Sequence, residues 1–423
     1  MIGNWTDIAL QDIISYAIGG DWGYNPEESI DDSTLAYCIR GSEIKEWNKN
    51  RGKTAVIRRI KNSSLENRKL ETGDILLEIS GGGPEQPVGR VLYIDEETIK
   101  TQDNHPIVCT NFFRRLHLND TVCSRYVYYY LHFFYIIGNT ISLQGGSNNL
   151  RNLKFKDYQL IRIPLPSLTE QKQIAEKLDK LFDQIETIKE ASNKIPELLK
   201  NFRQQVLTYA VTGKLIESTP EPRMLGELID ELKYGTSKKA DYDIEGFPVL
   251  RIPNINNGEI DSTDLKYVPL DDKEYNQLAL QEGDILVIRS NGSLSIVGQC
   301  AIVRKECENW VYAGYLIRIR CTHELLPEYL NYIFQSYQVR KQIVEKSHSM
   351  SGVNNFSADK IKHLEIAWYP VEVQKQIVEK LNSIFGKLNE IEKQYNTLCE
   401  KLDKLPQALL CKAFKGELVS RVV

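Results

Sequence analysis

The chain is 423 residues long, 42% hydrophobic, and carries a formal net charge of −4. That size buries more than one core, while the slight acidity, taken alone, argues mildly against a nucleic-acid partner and does not decide the matter. No run is long and apolar enough to span a bilayer, no leader follows Met1, and the eight cysteines form no CxxC pair, so a cytoplasmic protein with reduced thiols is predicted.

Leu10, Ile13 and Ile14 open a first globular part, residues 1–166, where β-branched runs alternate with Gly, Pro and Asn punctuation. Gly19-Gly20-Asp21-Trp22, Ile39-Arg40 and Gly73-Asp74-Ile75-Leu76 mark its turns and strands, and 126–135 reads as a helix. Residues 167–216 then place Ile174, Leu178, Leu181, Ile185, Ile188, Ser192, Ile195, Leu199, Phe202, Val206 and Tyr209 at alternating spacings of four and three. This is a heptad seam interrupted only by Ser192. Pro196 lies inside the run and is predicted to kink or end it. The stretch 217–223, ESTPEPR, reads as a polar linker.

The second globular part, 224–368, repeats the first. Leu225, Leu228 and Ile229 match the opening at a shift of 215, Leu250-Arg251 matches Ile39-Arg40 at 211, and Gly283-Asp284-Ile285-Leu286 matches its counterpart at 210. Asn354-Asn355 answers Asn148-Asn149 at 206. Strands are predicted at 248–253, 284–289 and 317–320 and a helix at 328–344. The last segment, 369–423, restates Gln171-Lys172-Gln173-Ile174 as Gln374-Lys375-Gln376-Ile377 at a shift of 203, which also carries Phe182 onto Phe385, Gly213 onto Gly416 and Leu215 onto Leu418. Its seam runs through Ile377, Leu381, Ile384, Leu388, Ile391, Tyr395, Leu398, Leu402, Leu405 and Leu409, with Pro406 inside it.

The shift drifts in the globular parts and is constant in the helical ones. Surface loops tolerate insertions, but one added residue turns a helix by about 100° away from its partner. The chain therefore reads as a tandem duplication of one variable α+β domain and one length-fixed helical segment. Two narrow stripes in one chain are predicted to pack together as an antiparallel coiled coil with internal pseudo-twofold symmetry. A fully helical run of about 40 residues would reach roughly 60 Å.

Catalytic patterns are absent. Gly52-Lys53-Thr54 lacks the first glycine of a phosphate loop because Trp47 stands there, and no Pro-Pro loop exists for methylating an extruded adenine. The six histidines form no metal-ligand spacing. Asp261, Asp264 and Lys266 mimic a nuclease trio, and Cys321 with His323 a metal pair, but both patterns are commoner on ordinary surfaces. The same holds for the basic clusters Arg58-Arg59-Lys61, Arg114-Arg115, Arg151 with Lys154 and Lys156, and Lys238-Lys239.

The arrangement resembles the specificity subunit of type I restriction-modification systems. The likeness rests on Leu165-Pro166-Ser167-Leu168-Thr169-Glu170-Gln171 with Ile174, on Gly213-Lys214-Leu215, and on Tyr369-Pro370 with Gln374, Ile377 and Gly416. Gly235-Thr236-Ser237-Lys238-Lys239-Ala240 and Leu250-Arg251-Ile252-Pro253-Asn254-Ile255 look like the opening of a target recognition domain. Val373 stands where the first repeat has Glu170, and Gly19-Gly20-Asp21-Trp22 departs from Gly235-Thr236-Ser237-Lys238.

The resemblance implies a non-catalytic DNA reader that binds no cofactor itself. Each domain would read half of a bipartite site in double-stranded DNA, and the helices would set the separation. Two AdoMet-dependent adenine methyltransferase subunits would dock, joined by ATP- and Mg-dependent endonuclease subunits. Polar residues in Gly- and Asn-rich segments beside strands are the candidate base readers: Asp21, Arg40, Ser42, Glu43 and Ser80 in the first domain, and Thr236, Ser237, Lys238, Lys239, Arg251, Asn254, Asn256, Arg289, Ser290 and Asn291 in the second. Arginine forks onto guanine and asparagine onto adenine in the major groove. Gly145-Gly146-Ser147 with Asn148-Asn149, and Ser351-Gly352, are weaker candidates for positioning the backbone. Two other readings stay open: a nuclease with an unrecognised carboxylate site, and a coiled-coil scaffold without DNA recognition.

Overall fold

Gly73 adopts a φ of +95°, and the Asp74 carboxylate accepts the Glu71 backbone N–H at 2.7 Å, so the chain turns sharply into the strand Ile75–Glu78, buried along its whole length. Gly283 (φ +88°), Asp284 and Gln281 build the same turn ahead of Ile285–Ile288. The computed structural model describes residues 5–83, 86–100, 105–146, 151–347 and 354–419. The chain forms two compact units: residues 1–191 with 398–423, and residues 192–397.

In the first unit, Ile75–Glu78 lies between Phe113–Leu118 and Val91–Tyr93, and Ile14–Gly19 completes an antiparallel four-stranded sheet. A three-stranded sheet sets Ser33–Ile39 between Val56–Lys61 and, in parallel, Ile107–Cys109. Thr6–Ala9 pairs with Arg162–Leu165, bringing the two ends of the domain together. Its core joins Leu10, Leu77, Leu116 and Tyr126 to Ile174 and Leu178 of the helix Leu168–Ser192, and to Leu410, Ala413 and Phe414 of the helix Val371–Phe414. The Phe414 ring lies edge-on to Tyr126 at 5.4 Å and to Tyr130 at 5.1 Å.

The second unit uses the same strand orders. Ile229–Tyr234, Leu316–Cys321, Ile285–Ile288 and Cys300–Ile302 form its four-stranded sheet. Phe247–Leu250 lies between Lys266–Val268 and, in parallel, Val311–Tyr312. Glu221–Met224 pairs with Glu365–Trp368, so the polar stretch 217–223 ends inside a strand. Val206, Leu207 and Ala210 of the helix Ile195–Val211 and Ile377, Leu381 and Phe385 of the C-terminal helix join Leu225, Ile285 and Tyr329 in one core.

Several sequence-based boundaries shift. The strand predicted at 248–253 stops at Leu250 and gives way to a 3-10 turn, Ile252–Asn254, because Pro253 has no N–H for a ladder. The helix at 328–344 is two, Pro327–Phe334 and Tyr337–Ser347; the Ser336 hydroxyl between them donates to the Ile333 carbonyl at 2.6 Å. Pro196 sits in the first turn of its helix, where a missing N–H costs nothing. Pro406 is carried inside an unbroken 44-residue helix. The seam also needs correction: Ile174, Leu178, Ile185, Ile377, Leu381 and Leu388 are buried and Leu181 and Ile384 partly so, but Ile188 and Ile391 are 45% and 46% exposed. Apolar spacing persists there while each side chain is only about half covered. Ser147, Asn148-Asn149 and Ser351-Gly352 lie outside the described residues.

The repeated glutamine is a fastener. Gln171 is buried; its side chain accepts the Cys123 N–H at 2.9 Å and donates to the Pro166 carbonyl at 2.9 Å. Gln374 accepts the Leu326 N–H at 2.8 Å and donates to the carbonyls of Tyr369 and Glu324 at 2.7 and 2.8 Å. Each long helix is thereby pinned to its domain at its first turn. Among the described residues no helix is long and apolar enough to cross a membrane, and all eight cysteines are free.

Two outcomes follow for stability. Gln374→Ala removes three hydrogen bonds, taking their partner from the Leu326 N–H and the Tyr369 carbonyl while the Glu324 carbonyl keeps the Trp368 indole N–H, and should cost about 1–3 kcal/mol in urea unfolding, whereas substitution of the exposed Lys375 should cost almost nothing. Burial lowers the His132 imidazole from 6.5 to about 4. The unfolded chain therefore binds the extra proton in that window, and the contribution of a neutral His132 is complete above about pH 6.5 and lost as pH falls toward 4. Relative to wild type, His132→Phe should retain about 1–2 kcal/mol more of its neutral-pH stability at pH 5, read from melting curves between pH 7.5 and 5.

Candidate nucleic-acid interface

A glycine seats each domain's main hairpin. A Cβ on Gly20 would stand 2.2 Å from the carbonyl oxygens of Cys109 and Thr110, so only glycine lets the two backbones meet there. The next residue, Asp21, donates its N–H to the Cys109 carbonyl at 2.8 Å, while its carboxylate accepts from the Gly23 N–H and the Ser64 hydroxyl. The turn thus formed presents Trp22, 39% exposed, beneath the Arg58 guanidinium at 4.3 Å.

Arg40 begins a 3-10 turn in which its backbone N–H and guanidinium both bind the Glu43 carboxylate. Glu43 is buried, so its expected role as a base reader is corrected: it fixes the turn that holds Arg40 out. Arg40, Ser42 and Ser80 come together in one cleft of about 730 Å³, with Trp22, Thr110 and Phe112 also on its wall. Asp21 supports that wall from behind and is spent on hydrogen bonds.

The second domain repeats the framework. A Cβ on Gly235 would meet the Tyr312 and Ala313 carbonyls at 2.3 and 2.4 Å, and the Thr236 N–H donates to the Tyr312 carbonyl at 2.9 Å. Thr236 is buried and caps the Lys238 N–H at 3.1 Å, which corrects its expected outward role. Ser237 and Lys239 are exposed, and Lys238 is paired with Glu274. Arg251 binds the Asp264 carboxylate at 2.9 Å, with its N–H on the Asn254 side chain at 2.9 Å. Asn254 is buried and donates to the carbonyls of Asp261 and Asp264, so it shapes the loop as Glu43 does in the first domain.

Asn256 falls elsewhere, on a cleft of about 790 Å³ shared with Arg203 and Arg340. The Arg289 guanidinium lies 4.8 Å over the Tyr234 ring. Ser290 and Asn291 pair with Asn355 and Asn354, and the Asn291 side chain accepts the Ser293 N–H at 2.9 Å.

Some charged residues face inward. Arg115 is buried with its Nε 2.7 Å from the Asp74 carboxylate, which His117 also contacts at 2.8 Å; Arg318 and Arg320 surround Asp284 in the same way. These pairs brace the sheets and leave the basic cluster at 114–115 half its apparent charge. Asp261 and Asp264 are engaged within their own loop: hydrogen bonds from Thr263 to the first, and from Tyr242 and Arg251 to the second, hold both carboxyls below the usual range. Among the described residues no three His, Cys, Asp or Glu side chains cluster as metal ligands would.

Comparison with known proteins gives this framework its context. The family described as type I restriction modification DNA specificity domain matches twice, over residues 37–197 and 218–401. The chain belongs to that family. Within it, the chain is 36% identical to the EcoKI specificity subunit of Escherichia coli K12 over 293 residues, 67% of this chain and 63% of that protein. It is 29% identical to the StySPI specificity subunit of Salmonella potsdam over 85% of this chain and 78% of that one. The first match thus spans just under two thirds of the relative's length. Two solved structures share the fold across 98% of this chain: one from work on assembly and conformational transition of a type I restriction-modification system, with a TM-score of 0.69, 18% identity and 99% of that chain covered, and the HsdS subunit of Thermoanaerobacter tengcongensis, with 0.66, 16% and 98%.

Sequence reasoning did not single out two exposed aromatic rings beside these turns, Phe112 and Tyr315. The signal was available, because the shift of 203 that aligns the helices also carries one onto the other. Gly235→Ala should cost about 1–3 kcal/mol of stability through the backbone clash, while Gly292→Ala, with open space around the site, should be neutral in the same denaturation series.

Proposed function

We propose that this chain is the non-catalytic, sequence-reading subunit of a type I restriction-modification complex. The domains at about 1–166 and 224–368 each read one half of a bipartite site in double-stranded DNA, and the helical segments 167–216 and 369–423 set their separation. The observation that carries this reading is reciprocal. In the first unit the Lys177 ammonium of repeat one donates to the Leu418 carbonyl of repeat two at 2.7 Å; in the second, Lys380 of repeat two donates to Leu215 of repeat one at 3.1 Å. Both residues of the second contact are those of the first moved by 203 positions and exchanged between repeats.

Lys189 with Asp403, and Arg203 with Asn389, keep the same reversed order of partners. That order supports an antiparallel coiled coil with pseudo-twofold symmetry, matching two half-sites on one face of the duplex. The helices' uncovered apolar positions suit docking of two methyltransferase subunits, which bring AdoMet, and then of endonuclease subunits, which bring ATP and Mg. The nuclease alternative is not favoured, since the carboxylates of Asp261 and Asp264 are engaged by Thr263 and Arg251 of their own domain. A scaffold without DNA recognition would not need two domains that keep one framework while the polar side chains at its turns diverge.

Inserting four residues in the exposed middle of Val371–Phe414, about one helical turn, should change the number of unspecified base pairs between the half-sites and leave each half-site intact. Mapping methylated adenines in cells that express the variant with its partner subunits reads the gap directly; an unaltered gap refutes the ruler.

A further inference from the structure

Phe112 and Tyr315 are large aromatic side chains left 45% and 63% exposed at equivalent hairpins of two domains that otherwise differ around them. Exposure of a ring forfeits burial that a small polar residue in a turn would not need. Yet both hairpins are rigidly built. Gly20 and Gly235 lie against the hairpin carbonyls at distances no other residue allows. The carbonyl of each aromatic residue also anchors the neighbouring strand: Phe112 accepts the Ile79 N–H at 2.8 Å, and Tyr315 accepts the Arg289 N–H at 2.9 Å. The backbone positions that carry both rings are therefore fixed in the same way in the two domains.

The surroundings of the rings point to bases. Phe112 forms the wall of the cleft that also holds Arg40, Ser42, Ser80 and Trp22, and Tyr315 is tied through its backbone to Arg289, next to Ser290 and Asn291. A ring with few rotamers beside polar groups suits the apolar edge of a base in the groove, such as the thymine methyl, with Arg40, Ser42 and Ser80 sharing the Phe112 cleft. The Phe112 ring has no polar atom to offer a phosphate, and Tyr315 has only its hydroxyl, which the Tyr315→Phe variant removes.

We propose that Phe112 and Tyr315 are a matched pair of specificity-determining residues, one per domain, whose rings pack against bases of that domain's own half-site. This rests on the DNA-reading function proposed above. The rings supply contact surface common to both domains, and the polar groups around them discriminate among bases.

The test uses the full chain assembled with its methyltransferase subunits and duplexes carrying the intact site, a scrambled first half-site or a scrambled second half-site. Phe112→Ala should lower affinity for the intact site about tenfold, leave binding to the duplex scrambled in the first half-site unchanged, and leave the dependence on salt unchanged. Tyr315→Ala should do the same for the second half-site, and Tyr315→Phe should keep wild-type binding. Phe112→Leu, which preserves apolar volume without the flat face, should fall between wild type and alanine. Equal affinity of the alanine variants and wild type for the intact site overturns the proposal, as does an equal loss on all three duplexes at unchanged melting temperature. If the wild-type complex itself fails to distinguish the three duplexes, the DNA-reading function is what fails.

Discussion

The protein depends on an exchange of helix ends. Neither domain closes its core with its own repeat alone: Leu410, Ala413 and Phe414 fill the core built on Leu10 and Tyr126, and Val206, Leu207 and Ala210 fill the core built on Leu225 and Tyr329. A helix that must deliver its first turn to one core and its last turn to another has its length fixed by both. This explains why the helical segments share one constant shift while the domains around them accumulate insertions. The pinned glutamines and the reciprocal lysine contacts are the polar version of the same constraint, since each satisfies backbone groups that would otherwise be orphaned.

The domains answer a different demand. Their sheets, the glycines under the hairpins and the tight turns before the central strands are the same in both, and the side chains projecting from that framework are not. Arg40 is held by Glu43, but Arg251 is held by Asp264, because the residue in the equivalent turn is Asn254 and carries no charge. A framework that tolerates such swaps changes what it presents without repacking what supports it. Rigid scaffolds carrying variable loops are the usual way recognition diversifies.

Much of this was legible in the sequence. The duplication, the helical segments, the central strands and the family likeness all rest on periodicity or on repeated residues, which tertiary packing rarely overrides. Boundaries and burial were less legible. Pro253 ended a strand and Ser336 split a helix, both local backbone effects a run of apolar residues does not announce. Glu43, Thr236 and Asn254 looked like readers because short polar residues near turns serve equally well as caps, and only their burial separates the two roles. Phe112 and Tyr315 were overlooked for the opposite reason: an aromatic beside a strand is ordinarily core. The heptad spacing of Ile188 and Ile391 indicated burial, but both side chains are only about half covered.

The placement of Phe414 has a further consequence for how the protein folds. The ring that seals the first core against Tyr126, Tyr130 and Phe133 comes from a segment remote from them in sequence. That core therefore completes only through a contact of very long sequence separation, whose loop-closure cost is met before the contact repays it. Closure of the first domain is thereby tied to formation of the helix that the second domain holds at its other end.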